Sequence, residues 1–217
     1  MKKLMMCAMV ALSLGAHAQD FKTALQNTWT GFDTIKHEET TRRAPYVDKM
    51  ERIVKKWPNE WATHFYFAMC KAQMSYFEKD LAKRDALLDD ALKEHDETVS
   101  ILGKENDETL VLAAMIANSR LGGDPMNRWQ KYGKLFTDDL EAAKAINPEN
   151  PRIYYMKAVS TLYTPKAFGG GKAAALPYFE KAAGYFAKET SDDITKPYWG
   201  KRENTFFLAE CKKEDKE

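Results

Sequence analysis

Apolar residues recur every three or four positions along most of this chain, and short runs rich in Pro, Gly and Asn interrupt them. The stretches between the breaks are rich in Ala, Leu, Lys, Glu and Met, which favour helix. The alternation of apolar and polar positions that is typical of strands is almost absent. The pattern therefore predicts an all-α protein.

The breaks are regularly spaced. The segments that follow them begin near Glu60, Glu108, Pro151 and Tyr198, which gives periods of 48, 43 and 47 residues. A weaker break divides each period near residues 80, 122–125 and 168–171. The predicted helices span 21–39, 46–56, 60–78, 80–102, 107–121, 125–146, 151–163, 172–188 and 198–213. Such a period indicates stacked antiparallel helix pairs, so we predict a right-handed solenoid that ends in a C-terminal capping helix.

The first residues have the features of a secretory signal peptide. Lys2 and Lys3 precede an apolar run over 4–14, and small residues flank His17 in the Ala16-His17-Ala18 tripeptide. The run is far shorter than the roughly 20 residues that cross a bilayer. Cys7 lies near its beginning, where a lipoprotein signal would not place it. We predict cleavage after Ala18, a single domain over 19–217, and a location in the periplasm, with secretion as the alternative.

The charge balance argues against two kinds of partner. The chain has 33 basic and 32 acidic side chains, and removal of the signal takes away Lys2 and Lys3. A nearly neutral protein has no long-range field that would gather nucleic acid or an anionic membrane. We therefore predict no nucleic-acid partner and no membrane insertion after signal removal.

The residue types that carry catalysis or bind metals are sparse. The mature chain retains Cys70 and Cys211, which we predict to be free thiols because they lie far apart along a solenoid. The remaining histidines, His37, His64 and His95, do not have the spacing of metal ligands. No nucleophile motif is present. We predict no metal, no cofactor and no enzymatic activity, although carboxylates from distant segments could still converge.

The repeat signature is clearest in the third helix pair. Ala175-x-x-x-Phe179 followed by Ala182 resembles the second helix of a tetratricopeptide repeat, but the Trp-x-x-Leu-Gly pattern of the first helix is missing. The strings at 150–155, 163–165, 168–172 and 175–177 are similar to a group of uncharacterised exported tetratricopeptide-repeat-like proteins of Bacteroidetes-type bacteria. That resemblance implies a helical, exported protein and no particular reaction.

The glycine run before the predicted helix 172–188 is the first candidate site. Gly169, Gly170 and Gly171 precede Lys172, and glycines allow close backbone approach to an anion at a helix N-terminus. A nucleotide-binding P-loop would need wider glycine spacing and a Ser or Thr where Ala173 stands. The alternative is that the glycines only turn a long loop.

A second candidate site lies on the first helices of the pairs. Adjacent aromatic residues diverge around a helix, so Tyr155 could face a groove together with Arg152 if Tyr154 packs inward. Asn118 and Arg120 could extend that face from the preceding pair. Tyr and Arg often anchor protein contacts.

These features predict an exported interaction or scaffold protein that binds a peptide, a protein or an envelope component without catalysis. The alternative is a periplasmic solute-binding or transport-accessory repeat protein, similar to the exported repeat subunits of some tripartite carboxylate transporters. A closed polar-lined pocket would favour the alternative, and an open groove would favour the scaffold.

Overall fold

The computed structural model describes residues 21–191, 193–197 and 199–213, and every regular element in this part of the chain is helical. Helix α1 occupies 21–33. It is followed by α2 (Thr40–Lys56), α3 (Trp61–Ser75), α4 (Leu81–Leu102), α5 (Asp107–Gly123), α6 (Pro125–Arg128), a π-helical turn (Trp129–Gly133), α7 (Lys134–Ile146), α8 (Pro151–Tyr163), a 3₁₀ turn (Lys166–Phe168), α9 (Lys172–Phe186) and α10 (Lys201–Lys212). The predicted all-α class is confirmed.

The signal peptide predicted at 1–18 lies outside the described residues. Among the helices that are described, none combines the length and the apolar character needed to cross a bilayer.

Local chemistry sets most helix boundaries at the predicted breaks. The side chains of Asp80, Asn106 and Asn150 each accept a hydrogen bond from a backbone amide in the first turn of α4, α5 and α8. Such caps satisfy amide groups that have no partner inside the helix. Gly103 ends α4 with a φ of 74°, a conformation that glycine adopts without a steric penalty.

The first helix pair differs from the prediction. Helix α1 ends at residue 33, and α2 begins at Thr40 and contains Pro45, whereas the sequence pattern placed the second helix after this proline. The reason is Arg43, which is fully buried inside α2. Its guanidinium donates to the carbonyl oxygen of Phe32 (3.3 Å) and to Oε1 of Gln73 (2.6 Å), so α1, α2 and α3 are tied together there.

The helices form an inner and an outer layer. Helix α3 packs on α4, α5 on α7, and α8 on α9, as expected for successive helix pairs. The first helices α3 and α5 are buried on almost all sides, whereas α4 and α7 bury a single stripe each. The core therefore lies along the first helices, and the second helices cover it.

The two ends of the stack touch each other. Nζ of Lys22 in α1 lies 3.1 Å from Oδ1 of Asp193, and Nε2 of His37 lies 3.4 Å from Oε1 of Glu203 in α10. Arg202 donates to the backbone carbonyl of Asp33. We call these contacts between α1 and residues 193–203 the seam. The seam therefore brings the first and last described helices together. The solenoid and its right-handed sense stay predictions.

A glycine permits the close approach of α1 and α2. A Cβ atom at Gly31 would lie 2.1 Å from Cε1 of the Tyr46 ring, far inside contact distance.

We therefore expect Gly31→Ala to lower the free energy of unfolding by about 1–3 kcal/mol, as substitutions at other overpacked sites do. Urea unfolding measures the change. Gly184→Ala in α9 is the control, because its Cβ would meet nothing within 4 Å. This variant should be neutral or more stable by up to about 1 kcal/mol. Equal losses in both variants would contradict the packing argument.

Candidate ligand-binding surface

Arg152 lies almost fully buried at the bottom of a small polar pocket. Its side chain is 1% exposed at the start of α8. Nη1 contacts Glu189 (2.7 Å) and Glu108 (3.2 Å), and Nη2 donates to the carbonyl oxygen of Pro197 (2.5 Å). Burial alone would lower the pKa of Arg152, but the charges of Glu108 and Glu189 raise it overall. Arg152 therefore joins α5, α8 and the connection before α10, and its role in partner binding stays a prediction.

Tyr155 is buried as well. Its ring lies 6.4 Å from that of Phe179 and 6.2 Å from that of Trp199, measured between centroids. Burial raises the pKa of Tyr155 well above its ordinary value, so the phenol stays neutral. Phe179 of α9 and Trp199 before α10 cover this side of α8, so Tyr155 does not line an open groove in this structure. Partner binding by Tyr155 and Arg152 stays a prediction that this burial does not favour.

Asn118 and Arg120 are half-buried and lie far from Arg152. The Asn118 amide donates to the hydroxyl of Tyr76 (3.2 Å), and Arg120 pairs with Asp85 and Asp89 of α4. Arg152 contacts Glu108, which is twelve residues before Arg120 on α5, or about 18 Å along the helix axis. Partner binding by Asn118 and Arg120 stays a prediction.

The glycine loop is shaped by its own backbone. Gly169 and Gly171 have φ values of 82° and 98°, and a Cβ atom at Gly170 would lie 2.0 Å from the carbonyl oxygen of Thr164. The three glycine amides donate to carbonyl oxygens of residues 161–166 at 3.0–3.2 Å. These amides are therefore engaged within the turn, which favours the structural interpretation. Anion binding beside Lys172 stays a prediction.

The histidines and cysteines do not form a metal centre. His64 contacts Glu94 (2.7 Å) and the Pro58 carbonyl oxygen (3.0 Å), and the hydrogen bond with Glu94 raises its pKa. His95 contacts the carbonyl oxygen of Thr109 (3.1 Å). Within the described residues, no group of three or more potential ligands converges. Cys70 and Cys211 are both buried free thiols, as predicted.

A cluster of exposed aromatic rings lies where α8 ends and α10 passes beside it. Tyr163 is 71% exposed, Phe206 is 60% exposed, and Phe168 on the adjoining 3₁₀ turn is 82% exposed. The half-buried ring of Phe207 joins them, with centroid distances of 6.4 Å to Tyr163 and 5.4 Å to Phe206. We call Tyr163, Phe168, Phe206 and Phe207 the aromatic surface. Contiguous exposed apolar groups of this kind mark interaction or ligand sites.

The aromatic surface continues into the core. The ring of Phe207 stacks on that of Phe179 at 5.7 Å, with an interplanar angle of 15°. Phe179 in turn contacts Tyr155, which contacts Trp199. The rings beneath the surface are therefore held by the packed interior, and the surface is firmly supported.

Cationic side chains lie next to the aromatic surface. Lys166 belongs to the same 3₁₀ turn as Phe168, and Lys172 begins α9. Burial raises the pKa of Cys211 in α10, and the nearby charge of Lys172 partly opposes this rise. Lys172 therefore lies close to the helix that carries Phe206 and Phe207.

A second apolar surface lies on α6 and the π-helical turn. Met126 is 85% exposed and Trp129 is 61% exposed. π-Helical turns are rare and often occur at functional sites. This surface lies on the connection between α5 and α7.

Sequence reasoning missed both surfaces. The signal for the first was the adjacent pair Phe206-Phe207 in an otherwise polar helix, since neighbours on a helix diverge and cannot both face inward. Phe168 was noted only as part of the glycine loop. Met126 and Trp129 carry no sequence signal that distinguishes them from core residues.

Comparison with known proteins gives one informative result. No protein-family model matches the chain, so the tetratricopeptide assignment of the repeats stays a prediction, and no curated protein matches either. Among solved structures, the HusA haemophore from Porphyromonas gingivalis is similar, with a TM-score of 0.73 and 30% sequence identity. The match covers 88% of this chain and 92% of that one. At this identity and coverage, the chain belongs to the same family as the HusA haemophore.

Proposed function

We propose that this protein binds haem, or a closely related tetrapyrrole, as cargo on the aromatic surface, without catalysing a reaction. The family relationship to a haemophore suggests the ligand class. The exposed ring cluster of Tyr163, Phe168 and Phe206 is the observation that carries the location. This proposal favours the solute-binding alternative of the sequence analysis over a pure scaffold.

The residues of the aromatic surface fit a flat apolar macrocycle. Aromatic rings offer large rigid faces and bind other π-systems in offset or edge-on arrangements. Phe207 and Phe179 hold the surface in place from beneath, so little conformational entropy is lost on binding. Lys166 and Lys172 lie on either side of the glycine turn, where their positive charges would favour the two carboxylates of haem.

Tyr163 is the residue of this surface that could contact the iron. A tyrosine oxygen is one of the axial ligands that proteins use for haem. His64 and His95 do not serve this role as they stand, because both are buried and hydrogen-bonded within the core, and His37 contacts Glu203 at the seam. The Cys211 thiol is buried, and its raised pKa disfavours the thiolate.

Export fits this function. The predicted signal peptide at 1–18 would place the mature chain in the periplasm or outside the cell, where a haem carrier meets its cargo. A protein partner is a second candidate function, which the exposed surface of Met126 and Trp129 favours. Such a partner would bind away from the aromatic surface.

Titration of haem into the chain from Gln19, followed by Soret absorbance, tests the proposal. We expect saturable binding by the native sequence and binding weaker by about tenfold or more in the double variant Tyr163→Ala/Phe206→Ala, since each aromatic contact contributes about 1 kcal/mol. Phe77→Ala is the control, because Phe77 is an exposed aromatic residue that belongs to a different helix pair, just after α3. Equal affinity in the native protein and the double variant would exclude the aromatic surface as the haem site.

A further inference from the structure

A groove between α1 and α2 has a composition unlike the rest of the surface. Its volume is about 330 Å³. The side chains along its floor are apolar or buried, and those along its rim are mostly cationic. The floor consists of Ala24, Thr28, Ile53 and Trp57, and the rim consists of Asn27, Lys49, Arg52 and Lys56. We call this feature the cationic groove.

Two cations of the groove have no acidic neighbour in its described lining. Lys49 and Arg52 lie three residues apart on α2, which places them on one face. None of the described residues that line the groove is acidic, although acidic and basic residues are almost equal in number over the whole chain. Lys55 on the same helix differs, since its Nζ lies 2.6 Å from Oε1 of Glu51.

The apolar floor is aligned with these charges. Trp57 is half-buried at the end of α2, and the ammonium group of Lys56 lies 4.1 Å from the centroid of its ring. Ile53 is buried one turn earlier, next to Thr28 of α1. A ligand in the groove would therefore meet an indole and an aliphatic side chain on one side and positive charge on the other.

We propose that the cationic groove is a second binding site, for a small organic anion with an apolar body of one or two rings and a phosphate or carboxylate group. The guanidinium of Arg52 matches such an oxyanion with two parallel hydrogen bonds, and Lys49 adds a point charge. A volume of about 330 Å³ is at the low end for ligand pockets, which suits this size class better than a tetrapyrrole. The site lies on α1 and α2, so it does not depend on haem binding near α8 and α10.

1-Naphthyl phosphate is a suitable probe, because it combines two fused rings with a phosphate. Titration is followed by NMR at the Trp57 indole and the Ile53 methyl groups. We expect saturable shifts of both signals, and at least tenfold weaker binding by Arg52→Gln. Lys55→Gln is the matched control, since it removes the same charge from the same helix outside the groove and should bind like the native protein.

Two further probes separate the parts of the ligand. Inorganic phosphate supplies the anion alone and 1-naphthol supplies the rings alone, and each should bind at least tenfold more weakly than 1-naphthyl phosphate. The proposal is overturned if neither groove signal shifts, if inorganic phosphate binds as tightly, or if Lys55→Gln weakens binding as much as Arg52→Gln. An unchanged urea midpoint for Arg52→Gln confirms that the variant is folded.

Discussion

Arg152→Ala is expected to lower the free energy of unfolding by about 3–5 kcal/mol, the usual loss when one partner of a buried ion pair is removed. The guanidinium is fully buried and contacts Glu108, Glu189 and the Pro197 carbonyl oxygen. It also lies 5.6 Å from the ring centroids of Phe186 and Trp199. Without it, α5, α8 and the 187–200 connection lose their common contact, and the buried Glu108 loses its positive neighbour.

Urea unfolding followed by far-UV circular dichroism measures this loss. Arg42→Ala is the control, because Arg42 is exposed and pairs with Glu39 on the same helix. An exposed pair of this kind contributes less than about 1 kcal/mol. Similar small losses in both variants would mean that the buried ion pairs of Arg152 do not hold the C-terminal part of the fold together.

Glu203→Gln is expected to destabilise the protein by about 2–3 kcal/mol at pH 7. Burial raises the pKa of Glu203, but the hydrogen bond with His37 and the positive charge of Arg202 outweigh burial and lower it to about 2, from an ordinary value of 4.5. The ionised form is therefore favoured in the folded state. Its contribution is complete above about pH 4.5 and is lost as the pH falls toward 2, so stability should decline over this range.

The pKa of Asp33, which lies across the seam from Glu203, is shifted in the opposite direction. Burial and the negative charge of Glu203 raise its pKa to about 6, from 3.8. Its ionisation therefore costs stability as the pH rises from about 4 to 6, and Asp33→Asn should stabilise the protein by up to about 2 kcal/mol at pH 7 but have little effect at pH 4.

Urea midpoints of the native protein and both seam variants, taken between pH 3 and pH 8, measure these effects. The native protein should lose stability toward pH 3, and Glu203→Gln should lose much less of it there. If the native protein and Glu203→Gln lose the same stability toward pH 3, the seam does not help to close the stack.

The sequence predicted the helical layers because their signals are local. Caps such as Asp80, Asn106 and Asn150 and the breaks at Gly103 and Pro151 act within one turn of the residues they affect. The exception was the start of α2, where a buried Arg43 that contacts α1 and α3 overrides the expectation from Pro45. Contacts between distant segments decided that boundary, and a local pattern does not contain them.

The candidate site was less predictable because it depends on closure of the stack. An open solenoid would leave Tyr155 and Arg152 on a concave face, whereas α9 and the segment before α10 cover them here. The surface that we propose for binding lies elsewhere, near the exposed Tyr163 and Phe206. The chain contains no short motif that encodes a contact between residues about 170 positions apart.

The most direct test of the account is an amide chemical-shift map of the complex between the chain from Gln19 and a diamagnetic gallium analogue of haem. If the aromatic surface is the haem site, the largest shifts should cluster at residues 161–172 and 203–210, at the end of α8, in the glycine turn and on α10. Shifts confined to α1 and α2, or no saturable shifts at all, would contradict haem binding at this surface.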